Sequence, residues 1–458
     1  MLDFINACLL GPGLCAAVFL CGVFLLAKLG PFFLTKPRRM AEALRSGTGE
    51  HAPMRAMLVA LAGTLGVGNI AGVASAIAIG GSGAIFWMWL SAIAAMPIKY
   101  AEIVLAVRHR RRHGGAWHGG AFFYIRDHGG NIARAFAGLF ALLCIGASFA
   151  MGGAVQTNAI AVSMHGTFGI PPLVCGIVLA VIVFAAVSGG LSRISALTMR
   201  LIPAMSAVYI AMCAYILAAN ASLLGEITAE IVSSALSPEA AGGGIAGFLM
   251  SRAVRIGVTR GIVSNEAGCG TAPIAHADAE VSAPAAQGVW GIVEVFIDTV
   301  VICSLTAYTV LIAERRGIAI VPDGMTAASA ALGAFIPHAD ILLCAAVLIF
   351  AFCTVICWFH YGAESLAYLG GGRRARRLYA LLYACCAAAG CFLSGGIVWS
   401  LADLTISAMT AVNIAAVLLR ADEVKSETDN YFPKCAYKFV NTDIPKEHYP
   451  VEKKKKMW

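Results

Sequence analysis

Apolar runs of eighteen or more residues recur along this chain, separated by short polar or basic segments. Each is long enough to cross a hydrocarbon layer about 30 Å thick. The runs occupy residues 12–34, 55–79, 83–107, 135–164, 171–189, 194–219, 253–276, 286–313, 339–369, 376–394 and 397–419. Alternation with turns about every ten residues, the mark of an outer-membrane barrel, is absent. The pattern predicts an all-α integral membrane protein with about eleven transmembrane helices.

Two of the predicted spans are unlike the rest. The second carries Gly63-Thr64-Leu65-Gly66-Val67-Gly68-Asn69 at mid-depth, and the seventh carries Gly261-Ile262-Val263-Ser264-Asn265-Glu266-Ala267-Gly268-Cys269-Gly270. Glycine destabilises a helix by about 1 kcal/mol relative to alanine, and it lets the backbone unwind and approach a ligand. An unwound stretch exposes N–H and C=O groups, each costing several kcal/mol in hydrocarbon unless something pairs with it. Half-helix N-termini suit a carboxylate, while unwound carbonyls suit Na⁺ or an ammonium. With the first span counted as an extra, these two stand first and sixth in a ten-helix set. Those are matching positions of two five-helix halves, where an inverted-repeat transporter carries its site. Close helix packing is the alternative use of glycine, and it suits Gly72, Gly80 and Gly83. Packing does not account for Asn69, Asn265 and Glu266 lying among the glycines, and an intramembrane carboxylate is costly and usually functional.

The remaining organisation follows from the same pattern. The first run, from about Pro12 to Leu34, is too long for a signal peptide and is followed by Lys36, Arg38 and Arg39, so it reads as a retained helix. Within the longer segment 220–252, Leu224 to Leu236 reads as a short surface helix, ended by Ser237-Pro238 and Gly242-Gly243-Gly244. After Arg420 the chain turns polar and ends in Lys453 to Lys456, which predicts a disordered tail drawn to anionic lipid. The expected layout is an extra helix and loop (1–54), a first five-helix repeat (55–219), a loop (220–252), a second five-helix repeat (253–420) and a tail (421–458).

Composition agrees: 59% of residues are hydrophobic and 13% charged, against roughly a quarter charged in soluble proteins. The net charge of +8 does not point to a nucleic-acid partner, because the basic residues crowd alternate loops. Lys36, Arg38, Arg39, Arg45 and Arg55 form one group, Arg108, Arg110, Arg111 and Arg112 a second, and Arg373, Arg374, Arg376 and Arg377 a third. Cytoplasmic loops carry this bias, so the N-terminus is expected outside and the tail inside a bacterial inner (cell) membrane. The fifteen cysteines are mostly scattered through apolar spans as small hydrophobes. His109, His113 and His118 share a basic loop and read as solvated, with metal binding the alternative.

The motifs at these positions resemble those of the alanine or glycine:cation symporters, the sodium:alanine symporter family. They include LGVGNIAGVASAIAIGG (65–81), KYAE (99–102), VQTNAIA (155–161), GVTRGIVSNEAGCGTAPIAHA (257–277), FIDT (296–299), FAFCTVICWFHYG (350–362) and VWSLADL (398–404). The resemblance runs from the second span to about Asn413. It implies a leucine-transporter (LeuT-type) fold and sodium-coupled symport of a small neutral amino acid, alanine or glycine, by alternating access. By that resemblance the amides of Gly66 and Gly68 would take the substrate carboxylate and Asn69 would hold the unwound segment. Carbonyls around Val263 and Ser264 would take the ammonium, Gln156 would form a polar wall and Trp358 would close one side. Thr64 and Gly268 complete the implied substrate set. Sodium would be held by carbonyls of Ala62, Leu65 and Phe350 and the hydroxyl of Thr354, with Cys353 beside it. The chain departs from the family pattern at Cys353 (Ser or Thr), Val67 (Thr), Val263 (Phe), Cys269 (Met) and Gly153 (Asn).

Several readings stay open at this point. Gln156 could bridge helices, Trp358 could fill the core, and Thr354 could bond back to its own helix carbonyl. Glu294 and Asp298, a turn apart on the eighth span, read as structural hydrogen-bond partners, and Asp403 as a brace for the last helix. Proton coupling through Glu266 is the rival within the transporter class, and a non-transporting amino acid sensor is a weaker one. A membrane enzyme would need a nucleophile–base pair or metal ligands at one depth, and neither HExxH nor Gly-x-Ser-x-Gly occurs.

Overall fold

The computed structural model describes residues 12–45, 52–236 and 252–432. Its helices are α1 Pro12–Leu29, α2 Phe32–Thr35, α3 Pro37–Arg45, α4 Pro53–Thr64, α5 Ala71–Gly80, α6 Gly83–His109, α7 Ala121–Arg126 and α8 Gly130–Phe168. There follow α9 Pro172–Val187, α10 Gly190–Ala219, α11 Leu224–Ala235, α12 Arg252–Asn265, α13 Ala272–His276 and α14 Pro284–Arg315. The last are α15 Gly324–Gly333, α16 Ala339–Tyr368, α17 Arg373–Gly390, α18 Gly395–Leu419 and α19 Ala421–Tyr431.

Among the described residues, six helices are long and apolar enough to cross a membrane: α6, α8, α10, α14, α16 and α18. α4 and α5, bent by 66° at their junction, are together long and apolar enough for a seventh if the bent pair is counted as one span. The runs expected at 12–34, 171–189, 253–276 and 376–394 are helical too, but shorter, interrupted or charged. The molecule is a multi-pass membrane protein.

α6 is buried along nearly its whole length and packs against α1, α11, α12 and α14. α16 is the second buried axis, in contact with α4, α8 and α10. α9 and α17 pair at the periphery, where their outward leucines, isoleucines and valines are exposed as a lipid-facing surface requires. Within α8 the stretch Ser148–Val155, and within α14 the stretch Phe296–Cys303, adopt π-helical i→i+5 bonding. Such bulges occur often at functional positions.

Two expectations need correction. The basic loop after α6 is not simply solvated coil: Arg111–His113 pairs antiparallel with Ala116–His118. Gly114 and Gly115, at φ of 59° and 87°, supply the tight turn. No group of histidines there could hold a metal ion among the described residues. The polar tail is also not disordered from its start, because α19 is an ordered helix. Its Val424 and Thr428 are buried, the Tyr100 hydroxyl meets Thr428 Oγ1 at 2.9 Å, and Arg108 pairs with Glu423 and Glu427. Lys36 donates to the Phe432 carbonyl at 2.7 Å. The rest of the tail, and the Ser237-Pro238 and triple-glycine break, lie outside the described residues.

Candidate functional site

The first break begins where α4 ends. Gly66 adopts an extended conformation, its N–H turned back to Thr64 O at 2.8 Å, and a single 3₁₀ turn, Val67–Asn69, precedes α5. Close approach favours glycine at 66: an added Cβ would stand 2.9 Å from Gln156 Oε1 and 3.0 Å from Thr354 Oγ1, pushing the Gln156 amide off its contacts. Gln156 accepts from the Val67 N–H at 3.3 Å and donates to Met151 O at 3.3 Å, so it bridges α8 to the unwound segment. The N–H of Gly68 makes no hydrogen bond among the described residues, while that of Asn69 closes the 3₁₀ turn back toward Gly66.

The second break falls within the expected Gly261–Gly270 stretch, in its second half. α12 remains helical through Val263 and Ser264 and ends at Asn265. The reversal is made by Glu266 at φ 52°, Gly268 at φ 88° and Gly270 at φ 76°. Asn265 Oδ1 caps the turn by accepting the Ala267 N–H at 3.0 Å. Val263 and Ser264 still present their carbonyls, as the last residues of any helix do, and neither accepts a hydrogen bond among the described residues.

The two breaks meet. The Ser264 Cα lies 4.0 Å from where a Cβ on Gly68 would stand. Asp298, in the π-helical stretch of α14, ties them: its Oδ1 accepts from Asn69 Nδ2 at 2.7 Å and its Oδ2 from Ser264 Oγ at 2.6 Å and Thr299 Oγ1 at 2.8 Å. Glu294 has a separate set of partners, His276 and Lys99. Asn69 thus fastens the unwound segment through its side chain.

Three of the expected sodium ligands converge. Thr354 Oγ1 lies 3.0 Å from Ala62 O and 3.1 Å from Phe350 O, so the back-bond to its own helix and the contact across to α4 coexist. Hard oxygens from two helices are what an alkali cation requires. The Leu65 carbonyl, in the turn between Thr64 and Gly66, accepts no hydrogen bond among the described residues. Cys353 is buried and makes no hydrogen bond to this oxygen cluster.

Other expected site residues have different surroundings. Trp358 does not line an open pocket. It is fully buried against Gly152, and its indole N–H donates to Glu266 Oε1 at 3.1 Å while Thr271 Oγ1 donates to Oε2 at 2.7 Å. Gly268 faces away, toward Ile414 and Thr410 of α18, with its carbonyl accepting from Asn413 Nδ2 at 2.9 Å. Thr64 bonds back to Leu61 O at 3.3 Å. Cys269 sits by Thr410, Sγ to Oγ1 3.3 Å.

A cavity of about 250 Å³ opens beside the first break, lined in part by Val67, Ala71, Gly72, Asn158, Arg260 and Trp399. The Arg260 guanidinium stacks 5.0 Å above the Trp399 ring and has no ion pair within 4.0 Å among the described residues. α15 reaches this cavity through Asp323, which caps its own helix by accepting from the Thr326 N–H at 3.0 Å. Reasoning from sequence did not single out Arg260, Lys99 or Glu102. The available signal was charge inside apolar spans.

The sodium:alanine symporter family model matches residues 1–442. The sodium/alanine symporter AgcS of Methanococcus maripaludis is 34% identical over 441 residues, covering 93% of this chain and 96% of the relative. The amino-acid carrier protein AlsT of Bacillus subtilis is 35% identical over 370 residues, covering 80% of this chain and 77% of the relative. A solved Na⁺-coupled sialic acid symporter is similar at a TM-score of 0.45 and 14% identity, covering 94% of this chain and 87% of its own. The chain belongs to the sodium:alanine symporter family.

Proposed function

We propose that this chain is a secondary active transporter that carries a small neutral amino acid, alanine or glycine, together with sodium by alternating access. One observation carries the reading: two interrupted helices touch at Gly68 and Ser264 and present unpaired peptide groups there. The free N–H of Gly68 suits a carboxylate, and the free carbonyls of Val263 and Ser264 suit an ammonium. The close contacts at Gly66 favour a short side chain, while Val263 and Cys269, smaller than the family's Phe and Met, leave room for a somewhat larger one. Sodium would sit among Ala62 O, Leu65 O, Phe350 O and Thr354 Oγ1. Both oxygens of Glu266 are already committed to Trp358 and Thr271, which favours sodium over a proton on this glutamate as the coupled ion.

In this reading residues 55–219 and 253–420 form the two five-helix repeats of a LeuT-type fold, with α1 as the extra helix. The basic loops face the cytoplasm and the N-terminus lies outside, so the Arg260 cavity faces outward as the route to the breaks. The inward side is closed by Arg110, which donates to the carbonyls of Ala277 and Ala279, and by α19. Sodium binding would order the first break and raise amino acid affinity by a coupling energy of about 1–3 kcal/mol. Inward movement of the ion contributes about 2.3 kcal/mol per charge for each ~100 mV.

The test is uptake of radiolabelled alanine, glycine and larger neutral amino acids into proteoliposomes, with and without an inward sodium gradient. Uptake of alanine or glycine that rises with the gradient is expected. Uptake indifferent to sodium would refute the coupling, and preference for a large amino acid would refute the assigned substrate.

A further inference from the structure

α6 places Lys99 and Glu102 one turn apart at the centre of the molecule, both with no exposed surface. Lys99 is the only lysine or arginine buried to this degree among the described residues. Its Nζ lies 3.2 Å from Glu294 Oε1 on α14. Glu294 Oε2 faces His276 Nε2 of α13 at 3.0 Å, and His276 Nδ1 faces Gln287 Nε2 at 2.7 Å. With the amide donating to Nδ1, the imidazole proton sits on Nε2 and is given to Glu294. Gln287 Nε2 also donates to Pro53 O at 3.2 Å, at the first turn of α4. Glu102 Oε1 accepts the Gly270 N–H at 3.0 Å and the Asn413 amide. Glu266 also lies close enough to act on the lysine.

One ammonium therefore sits against Glu294 and one turn from Glu102, in a cluster that holds different parts of the two broken helices. Glu294 holds α13 through His276, Glu102 holds the reversal at Gly270, and Gln287 holds the start of α4. We propose that Lys99 is a positioning residue for transport. Its charge compensates the Glu294 carboxylate 3.2 Å away and the neighbouring Glu102, and so keeps α4, α13 and the second break seated on α6 and α14 as one moving body. This rests on the transporter reading above. The other titratable groups around the cluster are Cys21 of α1, Tyr124 of α7, Cys144 of α8, Cys269 in the break, Cys357 and Tyr361 of α16, and Asp298 of α14. None of these can replace the missing positive charge.

The test is sodium-driven alanine uptake in proteoliposomes by Lys99→Met and by Lys99→Met/Glu294→Gln, each normalised to protein in the membrane. Without the ammonium the carboxylates are left uncompensated, and protonation relieves them. Lys99→Met should therefore lose about tenfold or more of its uptake above about pH 9 and regain it as the pH falls below about 8. The double variant restores the net charge of the cluster. It should reach wild-type membrane levels, recover most of the uptake and lose the pH dependence. Equal uptake by Lys99→Met and wild type at every pH would overturn the proposal. So would a double variant no better folded or more active than the single one. Failure of the wild type itself to show sodium-driven uptake would instead overturn the transporter reading.

Discussion

Thr354→Val tests the proposed sodium site with little change of shape. Valine keeps the branch at Cβ and puts a methyl where the hydroxyl stands, so the fit against Gly66 is retained. The hydroxyl lies 3.0 Å from Ala62 O and 3.1 Å from Phe350 O. A polar contact to a charged partner contributes about 1.5–3 kcal/mol, and a neutral hydrogen bond about 0.5–1.5 kcal/mol. The sodium-bound state loses the first kind of contact, whereas the sodium-free state loses only the second. The difference, roughly 1–2 kcal/mol, predicts a half-saturating sodium concentration about 5- to 30-fold higher. The assay is initial alanine uptake against external sodium in proteoliposomes, with the alanine KM measured again at saturating sodium. A raised sodium requirement with a near-normal alanine KM is expected. A sodium curve within about twofold of wild type, in protein that transports normally, would remove Thr354 from the ion's ligands.

Three further outcomes follow from the geometry. Asp298→Asn puts an amide donor where Asn69 Nδ2 and Ser264 Oγ both donate, so the alanine KM should rise about tenfold or more, measured by uptake at saturating sodium. Gly324→Ala drives a methyl into the Ala71 carbonyl, forcing α15 away from α5. Overpacking of this kind costs about 1–3 kcal/mol, and a lower Tm for the purified protein in detergent checks it. On the side opposite the cavity, burial raises the Glu423 carboxyl, but His109 and Arg420 outweigh it and hold the group down to about 2. A depressed carboxylate contributes stability above its unfolded pKa and loses it as the pH falls through the folded one. Amide exchange of α19, corrected for intrinsic rates, should then stay slow from neutral pH to about pH 5 and quicken toward pH 2, and Glu423→Gln should quicken it already at neutral pH.

Membrane class, the two broken helices and the family were legible because they rest on local signals. Apolar length marks a span, and Gly66, Gly68, Gly268 and Gly270 mark positions where a helix cannot run smoothly. The exact turn of the second break was not legible. It falls at Glu266, and a glutamate with positive φ is uncommon, held here by the nearby Thr271 and by Trp358 from ninety-two positions on. Trp358 itself read as a pocket wall because nothing nearby in sequence announces its bond to Glu266. α19 read as tail because four of its eleven residues, Asp422, Glu423, Glu427 and Asp429, are acidic. Its order comes from Arg108 and Tyr100, more than three hundred positions earlier. Asp298 looked like a structural partner of Glu294, yet the widened helix around it turns its carboxylate to Asn69 and Ser264 while Glu294 points to Lys99.

The two widened stretches, Ser148–Val155 and Phe296–Cys303, have a bearing on how this chain can be compared and edited. Each accommodates one residue more than a regular helix would, and a single helical residue is about 100° of rotation. Removing one residue from 148–155 would let α8 close to a plain helix and swing Gln156 off Val67, although no contact residue had been changed. A one-residue gap at either stretch in an aligned carrier therefore marks a rotated helix face, not alignment noise, and helical wheels drawn straight through these stretches mis-assign every face beyond them.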